Sequence, residues 1–262
     1  MLFYKTFENK NTTQWMVFIH GLGGSSAVFY KQIAVFAAEY NLLLIDLAGH
    51  GQSKARLPFS RQYSYDEIIS NVMEVIDYLQ LTACHFMGCS MGTIVIRKIA
   101  QLYPQRVKSM IMAGTIIEFN LRSKILLTIV RPLRKFMPYM WIYKFYSKIL
   151  MPKKRHQFSR NMFIDNAIKI GQKEFSRWLA LTTKITDYLS HIYSLKISIP
   201  TLYIMGEEDY MFLPRVKQFL EKYPSKNAFL SIVPNAGHLC NIDNSLFFNK
   251  TAMNFLKNMK EI

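Results

Sequence analysis

A serine lies at the centre of the segment Gly88-Cys89-Ser90-Met91-Gly92, which has the pattern Gly-x-Ser-x-Gly. An apolar run of strand type precedes it at residues 83–87, and a helix-like run follows at residues 93–100. Strand, sharp turn and helix form the context in which this pattern makes a nucleophile elbow, whose strained turn exposes the serine hydroxyl. The flanking glycines lack the Cβ atoms that would collide with so tight a backbone. We therefore expect Ser90 to be a nucleophile, and the plainer alternative is that it caps the following helix.

Short apolar runs alternate with longer helical segments over most of the chain. Continuous apolar runs are typical of strands covered on both faces. The alternation predicts an α/β fold with a mostly parallel central sheet and helices on both faces, and residues 2–7 could add an antiparallel edge strand. The predicted strands are 15–19, 42–46, 83–87, 107–113, 201–205 and 229–233, and the predicted helices are 26–39, 65–79, 91–103, 214–223 and 245–257.

The alternation stops between residues 115 and 199, where aromatic, methionine and basic residues replace clear strand patterns. Helical spacing is interrupted there at Pro132, Pro138 and Pro152, since proline breaks a helix interior. We interpret this region as a helical cap inserted into a core made of residues 1–114 and 200–262. Its apolar side chains suit an apolar acyl or aromatic group.

Further motifs follow the other predicted strands. With the serine segment, they closely resemble the α/β-hydrolase superfamily, in its cap-bearing branch of esterases, lipases and C–C hydrolases. The resemblance covers nearly the whole chain outside the cap. The motifs are His20-Gly21-Leu22-Gly23-Gly24-Ser25, Asp46-Leu47-Ala48-Gly49-His50-Gly51-Gln52-Ser53, Tyr103-Pro104-Gln105-Arg106-Val107, Gly206-Glu207-Glu208-Asp209 and Asn235-Ala236-Gly237-His238.

The resemblance implies a catalytic triad in the chain order Ser90, Asp209, His238. His238 would take the serine proton, and Asp209 would orient the imidazole and stabilise its charged form. The resemblance also places the backbone N–H groups of Leu22 and Met91 in an oxyanion hole, where they would stabilise the tetrahedral intermediate. This chemistry needs no cofactor, and the sequence shows no metal-binding cluster.

Alternatives remain open for several of these residues. Glu118 is a second candidate for the acid, because it comes just after the strand predicted at residues 107–113, and some relatives have their catalytic acid there. Cys89 puts a thiol beside the serine, although only the central position of such an elbow is exposed toward a substrate. Of the remaining histidines, we expect structural roles for His20, His50 and His85, and positions on the cap surface or its hinge for His156 and His191.

The formal net charge is +16, and most of it lies in residues 120–177, where 14 lysines and arginines accompany two acids. A region with so much positive charge attracts an anionic partner. The candidates are an anionic lipid surface, an acidic acyl carrier protein, or a substrate with a carboxylate or phosphate. The plainer alternative is a solvated basic face. No nucleic-acid-binding module is present, so a nucleic-acid partner is not expected.

Composition sets further expectations. The chain has no apolar run of the roughly 18 residues that a transmembrane helix needs, and its first residues lack the pattern of a secretory signal. Three cysteines, Cys84, Cys89 and Cys240, form no even-numbered disulfide framework. We therefore expect a reduced, cytoplasmic setting, with peripheral membrane association as an option.

These features together predict a serine hydrolase that cleaves a carboxylic ester of a small molecule with a fairly hydrophobic acyl group. The same triad serves other reactions, so C–C bond hydrolysis of a vinylogous diketone and hydrolysis of an acyl thioester or an acyl-carrier methyl ester stay open. A non-catalytic, ligand-binding member of the family is a third possibility, against which the intact Ser90, Asp209 and His238 argue.

Overall fold

The computed structural model describes residues 1–55, 62–119, 138–181, 185–194 and 198–259. Pro132 and five basic residues of the charged region lie outside these ranges, namely Arg122, Lys124, Arg131, Arg134 and Lys135.

A seven-stranded sheet forms the centre of the molecule, in the spatial order β1-β3-β2-β4-β5-β6-β7. All neighbouring strands are parallel except β1, which pairs antiparallel with β3 at the edge. The predicted edge strand and parallel sheet are therefore confirmed. The strands are β1 Tyr4–Phe7, β2 Trp15–Ile19, β3 Asn41–Ile45, β4 Cys84–Cys89, β5 Val107–Ala113, β6 Thr201–Gly206 and β7 Ala228–Val233.

The central strands are mostly apolar, as is typical of strands that helices cover on both faces. Helix α1 packs against α10 and α2 packs against α3, and every residue of β3, β4 and β6 is buried between the helical layers. The helices are α1 Tyr30–Ala37, α2 Tyr65–Tyr78, α3 Met91–Leu102, α4 Tyr139–Leu150, α5 Gln157–Ile168, α6 Gln172–Leu181, α7 Ile185–Ser194, α8 Leu213–Lys222, α9 Cys240–Asp243 and α10 Ser245–Asn258.

Local signals explain where individual helices begin. Ser64 accepts a hydrogen bond from the Glu67 N–H while the Glu67 carboxylate accepts one from the Ser64 N–H, which is a capping box at the start of α2. The segment predicted as one helix from residue 26 begins instead as a 3-10 turn, Ser26–Phe29, before α1. The short helix α9 was not predicted from the sequence.

Helices α4 to α7 occupy the described part of the region between β5 and β6. Helix α4 packs on α5 and α6, and Trp178 of α6 donates from its indole N–H to the Ala48 carbonyl, in the loop that follows β3. These helices thus contact the loops at the carboxyl ends of the strands. In parallel α/β sheets that edge is where ligands bind.

Candidate active site

The chain turns sharply from β4 into α3 at Ser90, whose φ of 54° and ψ of −121° are unusual for a residue other than glycine. A Cβ atom on Gly92 would lie 2.1 Å from the Ile19 carbonyl oxygen, and one on Gly88 would lie 2.5 Å from Ile96. Only glycine therefore lets α3 start this close to the neighbouring strand. The Ser90 side chain makes no capping bond to α3, which argues against the plainer reading of this serine.

Ser90, His238 and Asp209 form a continuous hydrogen-bonded chain. The Ser90 Oγ lies 2.9 Å from His238 Nε2, and His238 Nδ1 lies 2.7 Å from Asp209 Oδ2. The Asp209 carboxylate is fully buried and also accepts a hydrogen bond from the Phe212 N–H. An ionised carboxylate accepts from Nδ1–H, so Nε2 of a neutral imidazole is left to accept the serine proton.

The acids near Asp209 take different positions. Glu207 accepts a hydrogen bond from the Asn235 N–H, and Glu208 binds the Arg155 guanidinium at 2.8 Å. Glu118 is exposed at the surface beyond β5. Of the acids considered from the sequence, Asp209 is the one that the structure brings to His238.

The loop after β2 lies against the serine. A Cβ atom on Gly21 would be 2.9 Å from the Ser90 Cβ, so the loop could not approach so closely with a larger residue. The His20 ring holds the start of this loop, donating from Nδ1 to the Gly21 carbonyl and accepting at Nε2 from the Leu47 N–H at 2.9 Å. Burial lowers the pKa of His20, which keeps the ring in the neutral form that this bonding requires.

His50 braces the same loop from the strand β3 side. Its Nε2 accepts a hydrogen bond from the Gly23 N–H at 3.0 Å, and its Nδ1 lies 3.0 Å from the Ala48 carbonyl. Burial, and then the neighbouring His20, lower the pKa of His50 to about 3. His20 and His50 therefore have the structural role of holding the loop that carries Leu22.

Tyr143 of α4 reaches the loop from above and donates its hydroxyl to the Leu22 carbonyl at 2.7 Å. Gly23 has a φ of 78°, and a Cβ atom there would overlap the Tyr143 hydroxyl. Burial raises the pKa of Tyr143, so the hydroxyl stays protonated and able to donate. No feature of the sequence indicates this contact, because Tyr143 is one of several aromatic residues in its segment.

All three cysteines are free and buried. Burial raises the pKa of the Cys89 thiol to about 12, so this side chain is a neutral thiol at physiological pH. Burial raises the pKa of Cys240 as well, and its Sγ lies 3.6 Å from the Ile204 carbonyl. Neither has the exposed thiolate that cysteine catalysis needs.

The expected surface position of His156 is wrong, because its side chain is fully buried. The alternative of a hinge position stays a prediction. Its Nε2 lies 2.8 Å from Glu208 and 3.9 Å from Asp243, and Asp243 accepts a hydrogen bond from the Gly237 N–H. His156 therefore contacts the neighbours of both Asp209 and His238, which the sequence did not reveal. His191 is exposed on α7, and His85 is buried with its Nδ1 2.7 Å from the Ser109 hydroxyl.

An apolar cavity with about 900 Å³ of empty space, including its mouth, opens above Ser90 and His238. The described residues that line it include no lysine, arginine, aspartate or glutamate. Helices α4, α5 and α6 contribute much of its wall, and Leu22 and Met91 lie at its floor with the serine. The other lining residues are apolar or tyrosine: Tyr65, Ile94, Ile116, Phe119, Ile142, Tyr143, Tyr146, Leu150, Phe163, Phe175, Trp178, Leu179, Leu181, Ile185 and Phe212.

The described residues show neither a metal site nor a membrane-spanning helix. They contain no cluster of three or more His, Cys, Asp or Glu side chains placed to hold a metal ion. None of their helices has the length and apolar character needed to cross a membrane.

Residues 14–163 match the family model of the alpha/beta hydrolase fold, and this chain belongs to that family. The expected fold class and superfamily are thereby confirmed. The solved enol-lactonase of Burkholderia xenovorans LB400 has a TM-score of 0.82 at 19% identity, over 98% of this chain and 96% of the other. MenH from S. aureus has a TM-score of 0.81 at 20% identity, covering 99% and 100%.

A sequence relative extends over similar lengths. RutD of Pseudomonas savastanoi pv. phaseolicola (strain 1448A / Race 6), provisionally named a carbamate hydrolase, is 29% identical over 256 residues. That alignment covers 92% of this chain and 93% of the relative. The relatives thus support membership of a hydrolase family, while their names describe different reactions.

Proposed function

We propose that this protein is a serine hydrolase that cleaves a carboxylic ester with an apolar, uncharged acyl group. The observation that carries the proposal is the contact of Ser90 Oγ with His238 Nε2 at the floor of a cavity whose described lining has no lysine, arginine, aspartate or glutamate. An acyl chain gains about 0.8 kcal/mol for each methylene buried in such a cavity. A substrate carboxylate would find no lysine or arginine among the described lining residues.

The reaction follows from the positions of the three side chains. Ser90 Oγ attacks the acyl carbon while His238 Nε2 takes the hydroxyl proton, and the Asp209 carboxylate stabilises the imidazolium. The ester C–O bond then breaks, and His238 returns its proton to the departing alkoxide. Water adds to the acyl-enzyme with His238 as base, the acid leaves, and the serine hydroxyl is restored.

The oxyanion is proposed to be stabilised by the N–H groups of Leu22 and Met91. Met91 is the first residue of α3, where backbone N–H groups lack helical partners and the helix dipole favours negative charge. Leu22 lies in a loop fixed on both sides, by Tyr143 at its carbonyl and by His50 at the next N–H. Such prior fixing is what makes donors effective, since no reorganisation is needed during reaction.

The proposed cap comprises residues 115–199, inserted between core residues 1–114 and 200–262. Helices α4 to α6 of this segment form walls of the cavity while the core carries the triad. The described lining is largely apolar and suits a small polar carbamate less than an apolar acyl group, so the activity in the provisional name of RutD is a weaker candidate for this chain.

A panel of p-nitrophenyl esters of increasing acyl length tests this function, run beside an acyl thioester, a dienoate diketone and a carbamate. We expect kcat/KM to rise with length by up to about fourfold per methylene until the cavity is filled. Greater activity on the diketone or carbamate than on every ester would contradict the ester assignment.

Variants of α4 connect the panel to the cavity. Ile142 lines the cavity, whereas Ile149 of the same helix is not among its lining residues. Ile142→Phe should move the optimum to shorter esters, and Ile149→Phe should leave the optimum where it is. An unchanged optimum in both variants would show that the acyl group binds elsewhere.

A further inference from the structure

Helix α4 presents two different faces. Ile142, Tyr143, Tyr146 and Leu150 point inward and line the cavity above Ser90. The opposite face carries Trp141, Lys144, Phe145 and Lys148, whose spacing of three and four residues places them in one stripe. The helix that closes over the cavity is therefore also part of the outer surface of the molecule.

The outer stripe combines large apolar groups with free charges. Trp141 is 67% exposed and Phe145 is 53% exposed, which is unusual for such side chains in water. Lys144 and Lys148 are exposed, and neither ammonium group has an ion-pair partner within the described ranges. Aromatic groups flanked by lysines are typical of helices that lie at a membrane interface.

Further exposed groups lie at the end of α5, near the start of α4. The Tyr139 hydroxyl donates to the Ile168 carbonyl at 3.0 Å, so the start of α4 lies beside the end of α5. Ile168 is 56% exposed, and the adjacent Lys169 is exposed as well. We call the combined surface the α4 face; its members are Trp141, Lys144, Phe145, Lys148, Ile168 and Lys169.

The charge around this face favours an anionic occupant. In residues 139–181 the acids are Asp165 and Glu174, and Glu174 is buried against Arg177 at 3.0 Å. Not every basic residue of the segment is available, because Arg155 binds Glu208 and Asn235. The lysines of the α4 face are free to meet an anionic surface, and each lysine near such a surface adds about a factor of five in binding.

We propose that the α4 face docks on an anionic phospholipid surface, with Trp141, Phe145 and Ile168 inserted between the lipid head groups and the lysines beside the phosphates. Resting on the proposed function, this identifies the substrate class as an apolar ester held in a membrane, which reaches the cavity past α4. An acidic carrier protein could be bound by the lysines alone, without exposed aromatic side chains. The aromatic groups therefore favour a lipid surface as the occupant.

Binding is tested with vesicles of phosphatidylcholine alone and of phosphatidylcholine with phosphatidylglycerol in equal parts, measured by co-sedimentation of the full chain. We expect binding to the anionic vesicles, weakening as salt rises. Of the other two tryptophans, Trp178 is buried and Trp15 is half-buried in β2, so a blue shift of tryptophan emission that is lost in Trp141→Phe would report insertion of Trp141.

Two pairs of variants separate the charged from the apolar contribution. Lys144→Gln with Lys148→Gln should weaken binding by about 30-fold, and Trp141→Ser with Phe145→Ser by at least about tenfold. Matched controls lie on other helices: Lys217→Gln with Lys250→Gln for charge, and Leu246→Ser, at 85% exposure, for apolar surface. These controls should bind as the wild type does.

Hydrolysis of a short soluble ester distinguishes this proposal from the proposed function. Both α4-face double variants should retain it, since none of the four substituted side chains lines the cavity. Activity without vesicle binding would overturn docking and leave the ester assignment intact. Equal binding by α4-face and control variants, or binding to an acidic carrier protein in place of vesicles, would also overturn it.

Discussion

The two sides of the cavity are made of different kinds of side chain. The sheet side carries the hydrogen-bonded Ser90, His238 and Asp209, each at the end of a strand or in a loop held by backbone hydrogen bonds. The α4–α6 side carries apolar walls such as Ile142 and Trp178. Under the proposed function, this division implies that bond cleavage depends on the sheet side, while substrate preference depends on the helices above it.

The helices also hold the sheet-side loops at specific points. Tyr143 binds the Leu22 carbonyl, the His238 N–H donates to the Leu150 carbonyl at 3.2 Å, and His156 lies beside Glu208. The helical side therefore contributes position as well as shape. Single substitutions on each side measure how far the two contributions can be separated.

The largest effect should follow from replacing the acid on the sheet side. Asp209→Asn should lower kcat by about 10⁴, because the amide cannot hold the imidazole in the tautomer that accepts the serine proton. Glu118→Gln is the matched control and should stay within a few-fold of wild type in steady-state assays. If Glu118→Gln loses activity and Asp209→Asn does not, the acid of the triad is Glu118.

A smaller effect should follow from cutting one tie between the two sides. Tyr143→Phe removes the hydrogen bond to the Leu22 carbonyl but keeps the ring, so kcat should fall by about tenfold with little change in KM. Tyr146→Phe is the matched control, since within the described ranges that hydroxyl has just a 3.5 Å contact with the Met211 sulfur. If both variants lose activity equally, the role of Tyr143 is to shape the cavity.

The last prediction concerns how the free energy of unfolding depends on pH through His50, a buried histidine on the sheet side. His50 has an ordinary pKa of 6.5 when unfolded and a pKa of about 3 when folded, so below pH 6.5 the unfolded chain binds a proton that the folded chain does not. Unfolding free energy should therefore fall as pH falls through this window, by about 1.4 kcal/mol per pH unit for each such histidine. Above it, this contribution is fully present.

Urea unfolding between about pH 7 and about pH 4 measures this slope. His50→Asn should make the slope shallower, whereas His191→Asn, at an exposed position on α7, should leave it unchanged. An unaltered slope in His50→Asn would mean that this histidine carries the same charge in both states.

The sheet side was more predictable from sequence than the helical side. The apolar runs at residues 15–19 and 107–113 coincide with β2 and β5, because a strand buried on both faces has a simple composition. Ser90, His238 and Asp209 come together as the family resemblance implied, since each is close in sequence to a recognisable glycine or strand end. The hydrogen-bond distances themselves depend on the folded loops.

The contacts of the helical side were not predictable in the same way. Tyr143 and His156 form single long-range contacts, and their neighbours in sequence resemble them in composition. The exposed stripe of α4 could be recognised only after the inward face was known. Helical periodicity shows that a helix has two faces, but not which of two partly apolar faces packs inward.

The most direct test of the central claim is mass spectrometry of the protein after reaction with a fluorophosphonate and, separately, with a slowly hydrolysed long-chain p-nitrophenyl ester. We expect one adduct per chain, mapped by peptide sequencing to Ser90. The Ser90→Ala variant should form no adduct and should retain only about 10⁻⁴ to 10⁻⁶ of the wild-type activity. An adduct on another residue, or a Ser90→Ala variant that keeps more than about a tenth of wild-type turnover, would contradict the account.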